Sequence, residues 1–126
     1  ELRTEEISAG ASAVAAIPAV REKLVQWQRK MAEGNQIVME GRDIGTVVFP
    51  DAKYKFFLTA SPEERARRRL VQDGGNPSEE KIARVAAEIA ARDKADSSRP
   101  VSPLRRAEDA MLIDNSKLTL PDFTSL

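Results

Sequence analysis

The chain has 126 residues, 41% of them hydrophobic and 32% charged, the balance of a single globular domain that needs no staples to hold a core. Twenty basic and twenty acidic residues cancel, so no global field draws the chain to nucleic acid or to an anionic membrane. Cysteine and histidine are both absent, which excludes disulfides, thiolate metal sites and histidine bases and leaves Arg, Lys, Asp, Glu, Ser and Thr for any chemistry. Thirteen of the basic residues are Arg, the side chain suited to forked grips on phosphate and carboxylate. No apolar run approaches the roughly 18–20 residues that cross a bilayer. No signal peptide is visible, and the opening at Glu1 rather than Met suggests a piece of something longer.

In chain order, Thr4 before Glu5 and Glu6 predicts a capped helix running to about Ala16. Pro18 suits the first position of a second helix. Val20, Leu24, Trp27 and Met31 then form an apolar stripe that ends near Gly34. Ile37–Glu40 reads as a buried parallel strand, and Tyr54–Ala60 as another. Ser61-Pro62-Glu63-Glu64 opens a helix, with Ser61 as cap, Pro62 first and Glu64 completing a capping box. Asp73-Gly74-Gly75 stops it, and Asn76-Pro77 starts the next, with Ile82, Val85 and Ile89 facing inward. Ala110–Asp114 is a third strand, and the LTLPDFTSL tail starts like a helix. Strands alternating with helices indicate an α/β fold with a mostly parallel sheet. The polar stretch from Asp73 to Pro103 reads as an excursion away from the core.

Four constellations could carry chemistry. Arg42 and Asp43 follow a predicted strand and Gly41, at the strand's carboxyl end, where open α/β sheets bind ligands. The alternative is an ordinary Arg–Asp surface pair. Arg92, Asp96 and Arg99 share one helical face and could clamp a ligand bearing phosphate and hydroxyl groups, or could simply pair with each other in solvent. Arg65, Arg68 and Arg69 suit the charge stabilisation that phosphoryl transfer requires. Their rival role as a nucleic-acid patch is opposed by Glu63, Glu64, zero net charge and few aromatic platforms. Ser12 and Arg21 bracket VAAIP and alone read as a packing residue and a solvent-facing one.

Together the stretches SAGASAVAAIPAVRE, VMEGRDIGTVVFPDAKYKFFLTASPEERARRR and RDKADSSRPVSPLRRAEDAMLIDNSKL resemble the bacterial cytidylate kinases, with GRDIGTVVFPDA the most diagnostic. The resemblance implies an α/β fold of the P-loop NTPase type, a parallel sheet with helices on both faces and a helical lid. It implies ATP-dependent phosphorylation of CMP and dCMP, Mg2+ accompanying ATP, a cytoplasmic enzyme that is a monomer when intact, and neither nucleic-acid nor membrane partners. Carried over by position, it implies that Ser12, Arg21 and Asp43 contact cytosine, with Arg99 a further base-side contact. Arg42 and Arg92 would hold the acceptor phosphate and Asp96 the ribose hydroxyl. Arg65, Arg68 and Arg69 would approach the donor at the start of the lid, with Arg65, Arg69 and Arg92 acting on the transferring group. Residues 1–35 would be the helical end of a monophosphate-binding insert, 36–61 and 104–126 parts of the α/β core, and 62–103 the lid with its flanking helices.

The chain also departs from that pattern. No GxxxxGK[ST] phosphate loop occurs. The expectation is therefore a C-terminal portion without the central phosphate-loop strand, incomplete as a sheet, marginally stable and inactive alone. Other nucleoside monophosphate kinases (adenylate or mixed uridylate-cytidylate) and a non-catalytic nucleotide-binding fragment remain alternatives. All these readings require Asp43 and Arg99 to border one cavity.

Overall fold

The computed structural model describes residues 5–125. In chain order it contains α1 (Glu5–Ala15), α2 (Pro18–Ala32), a π-helical turn (Ile44–Val48), β1 (Phe56–Thr59), α3 (Pro62–Gln72), α4 (Glu79–Ser98), β2 (Met111–Asp114) and α5 (Leu120–Thr124). Thr4, the expected cap of α1, lies outside the described residues. The arrangement is a small α/β one, with helices and a two-stranded parallel sheet.

β1 and β2 pair in parallel with Phe56 opposite Met111 and Thr59 opposite Asp114. The Met111 and Asn115 amides extend the ladder to the Lys55 and Thr59 carbonyls, each at 2.9 Å. At the ladder's start the Lys55 ammonium donates to Asp109 at 2.7 and 2.9 Å and also to the Pro50 carbonyl. The hydrogen bond from Lys55 holds the Asp109 carboxyl below the ordinary aspartate value of 3.8. The strand expected at Ile37–Glu40 does not form, for that stretch carries no ladder and Val38 is fully exposed. A parallel strand exists only by pairing, and neither β1 nor β2 pairs with it. The sheet itself is half bare: Phe56 is 60% exposed and Leu58 53%.

α3 packs along α4, and the buried cluster lies between them, formed by Ala66, Ile82, Val85 and Ala86 with Leu70 and Ile89 against it. The stretch expected to stand away from the core therefore supplies much of it, because Ile82, Val85 and Ile89 do face inward as their spacing required. The Ser61 hydroxyl caps α3 by accepting from the Glu64 amide at 3.2 Å. The reciprocal half of the expected capping box is missing. The Ser61 amide donates instead to the Ser116 hydroxyl at 2.9 Å, and the Glu64 carboxylate binds Arg68 at 2.8 Å. α4 begins later than expected, at Glu79 with Ser78 as cap.

α2 also differs from its apolar stripe. Trp27 and Met31 face solvent, and the residue it buries is Val25. The helix is turned so that Arg21, Gln28 and Arg29, polar as they are, meet the 43–48 segment. This rotation puts long polar side chains where buried acceptors await them.

Candidate functional site

The π-helical turn is built on two carbonyls, the Ile44 carbonyl accepting from the Phe49 amide at 2.7 Å and the Asp43 carbonyl from three amides. Asp43 O accepts from the Val47 amide at 2.9 Å, the Val48 amide at 3.2 Å and the Thr46 amide at 3.3 Å. From α2, Arg29 donates to the Val47 and Val48 carbonyls at 2.8 and 2.9 Å. Such π segments concentrate at functional sites. Gly41 precedes the turn because any Cβ there would meet Ile44 Cγ1 at 2.9 Å.

This turn presents the Asp43 carboxylate inward, with the residue only 2% exposed. Arg21 grips both carboxylate oxygens, its Nε donating to Oδ2 at 3.1 Å and its Nη2 to Oδ1. A bidentate fork of this kind fixes geometry as well as charge. A second buried carboxylate, Asp96 at 5% exposure, comes from α4. Arg42 Nε donates to Asp96 Oδ2 at 2.9 Å, and Arg99 Nη1 lies 3.8 Å from Oδ1. Arg99 follows α4 as its C-terminal cap, and its Nε donates to the Ser102 carbonyl at 2.5 Å. Ser102 holds a left-handed φ of 50° to place that carbonyl.

A cavity of about 210 Å3 opens where these elements meet, lined by Ser12, Arg21, Arg42, Asp43, Arg92, Asp96 and Arg99, with Gln28 and Gly41 among its other walls. All seven expected substrate-side residues thus border one space, although they span α1, α2, the 41–43 turn and α4. Asp43 and Arg99 share it. An adjoining cleft of about 430 Å3 between α1 and α4 repeats Ser12, Arg92, Asp96 and Arg99 against a wall of alanines. Arg92 makes no hydrogen bond or ion pair among the described residues, so its guanidinium is available to a ligand.

The lid-side arginines are placed differently. Arg65, Arg68 and Arg69 line neither cavity. Arg65 forks onto Asp93, the neighbour of Arg92, with Nη2 donating to Oδ1 at 3.3 Å. Arg68 holds Glu64 and donates to the Asn115 carbonyl at 2.7 Å. The sequence reading missed Gln28 and Arg29. Their signal was a polar pair at two-turn spacing from Arg21 on a helix read only for its apolar stripe.

The residues present do not fit a resident Mg2+. No group of three or more acidic side chains gathers among the described residues, and the two buried carboxylates of the cavity are already engaged by guanidiniums. No helix among the described residues is long and apolar enough to cross a membrane.

Comparison with known proteins adds a family to this geometry. A family model described as cytidylate kinase matches residues 1–125. A cytidylate kinase of Mycobacterium leprae (strain Br4923) is 59% identical over 119 residues, which is 94% of this chain and 53% of that protein. A cytidylate kinase of Caldanaerobacter subterraneus subsp. tengcongensis is 56% identical over the same share of this chain and 53% of its own length. One from Pseudomonas entomophila (strain L48) is 50% identical, with 52% of its length covered. The chain spans about half the length of the curated relatives it matches.

Proposed function

The chain belongs to the cytidylate kinase family, and from that premise we propose that the Ser12–Arg99 cavity holds CMP or dCMP as the acceptor of a phosphoryl group from ATP. The observation carrying this reading is the convergence of eight polar side chains on one cavity, two of them buried, guanidinium-held carboxylates. Ser12, Arg21, Asp43 and Arg99 read the base, Asp96 takes a ribose hydroxyl, and Arg42 and Arg92 hold the acceptor phosphate. Arg42 spends only its Nε on Asp96, which leaves the far edge of the fork for phosphate oxygens. Cytosine offers an amino donor and ring acceptors. A carboxylate beside a guanidinium and a hydroxyl complements that pattern, and uracil would leave buried groups unpaired.

Transfer between two phosphates depends on positioning and charge neutralisation rather than on a general base. A chain without histidine is therefore no handicap. On this reading the fold is part of a P-loop NTPase-like sheet, α3 and α4 frame the lid, and Arg65, Arg68 and Arg69 serve the donor phosphates. Arg65 and Arg68 must first leave Asp93 and Glu64, so their role belongs to a closed state. Mg2+ would arrive with the donor's phosphates rather than as a resident of this chain.

Titration calorimetry tests the proposal on this chain. CMP and dCMP are expected to bind at one site, UMP and AMP at least tenfold more weakly, and Arg42→Met to weaken every monophosphate. Equal heats from all four nucleotides would overturn it.

A further inference from the structure

Resting on the pyrimidine-monophosphate reading of the cavity, we propose that Gln28 is a further specificity-determining residue, its side-chain amide oxygen accepting a hydrogen bond from the exocyclic amine at the 4-position of cytosine. Gln28 lies seven residues after Arg21 on α2, two turns along the same stripe. It lines the cavity with Arg21, Asp43 and Ile44. Its Oε1 is buried and has no hydrogen-bond partner. Buried amide oxygens are ordinarily paired, and leaving one bare is costly. Nearby donors do not serve it. The Arg21 guanidinium is taken by Asp43 and that of Arg29 by the Val47 and Val48 carbonyls. Those Arg29 bonds also tie α2 to the 43–48 segment beside Gln28, itself part of the cavity wall.

The remaining partner is whatever enters the cavity. Arg99 Nη2 is also buried without a partner and also borders this cavity. Two residues of the cavity wall therefore carry unpartnered atoms buried beside the space, one an acceptor and the other a donor. Cytosine carries an amine donor at position 4 and a carbonyl acceptor at position 2, which answers both. Uracil has oxygens at both positions and sets an acceptor against Gln28. Asp43 supplies charge for the same amine. Gln28 supplies a neutral second acceptor, so that both amine hydrogens are read and no further charge is buried.

Calorimetry on the full chain, wild type and Gln28→Met, tests this with three probes: CMP, UMP, and the 5′-monophosphate of the pyrimidin-2-one riboside, which lacks any group at position 4. Methionine keeps the length and helix preference while removing the acceptor. Gln28→Met is expected to weaken CMP roughly tenfold and to leave UMP and the pyrimidin-2-one nucleotide within twofold of wild type. That non-additivity is one a merely structural role would not produce. Equal weakening of all three probes, or undiminished CMP binding, overturns the role of Gln28. A rotated amide that donates to uracil would show as a matching loss for UMP and would overturn it too. If wild-type chain fails to prefer CMP over UMP, the failure lies with the function proposed above. Should Gln28→Met unfold, Gln28→Asn, which withdraws the oxygen by one methylene, is expected to show the same CMP-only loss, and a loss shared by all probes overturns the proposal.

Discussion

Asp43 and Arg21 form the pair on which the cavity turns, the two side chains being 1% and 12% exposed. Removing one partner of a buried pair strands the other charge, a change that costs about 3 kcal/mol or more, whereas replacing both by apolar groups is often neutral. Asp43→Ala is therefore expected to lower stability by about that amount and to abolish CMP binding. The double variant Arg21→Met/Asp43→Leu should recover most of the melting temperature without recovering the ligand. Urea denaturation alongside CMP titration checks both, and a double variant that regained CMP would refute the base-side role of the pair. Asp43 was marked as a candidate by its place after Gly41 at the end of a predicted strand, whereas Arg21 was legible only through the family likeness. Ser12 in an Ala-rich helix and Arg21 in the helix that follows carry no local mark, because Arg21 answers to a partner 22 residues away and Ser12 to a cavity assembled from distant segments.

At the scale of elements, local chemistry was read correctly where it is self-contained. Ser61-Pro62 starts α3, Pro18 starts α2, and Ile82, Val85 and Ile89 face inward, each for reasons held within one helical turn or stripe. It failed where the competing partner was distant. The Ser61 amide turned to Ser116, 55 residues on, and Trp27 and Met31 yielded the inner face to Arg21 and Gln28, which meet the 41–44 segment, while Glu64 lost its capping role to Arg68 only one turn away. The π-helical turn had no sequence signal, since it depends on a guanidinium from another helix. Arg29→Met removes two donors from that turn at once. It is expected to speed amide exchange across residues 44–48 by roughly a factor of ten while leaving α3 and α4 protected, at about 1–1.5 kcal/mol for the lost bonds. Unchanged protection in 44–48 would show that Asp43 is held by its own backbone bonds alone.

Across the molecule, the buried cluster is confined to the α3–α4 pair, and the sheet consists of two strands with Phe56, Leu58, Met111 and Leu112 all half-exposed or more. Apolar area left in water contributes nothing to folding, so the chain alone is expected to melt broadly and below the usual mesophilic range. A sharp cooperative transition above ~55 °C in a calorimetric scan would contradict this. The Ile37–Glu40 stretch shows why the sheet was over-read. Its composition suits a strand, but strand formation is a property of two backbones, and among the described residues no second one lies beside it.

Arg21 and Arg29 sit two turns apart on α2 and seize opposite ends of the 43–48 segment, one by its carboxylate and the other by its last carbonyls. The helix thereby acts as a splint. Tilting it carries Asp43 along as part of the same rigid block, and the slack for such a swing must come from the unladdered tether between Gly34, already at a φ of 72°, and Gly41.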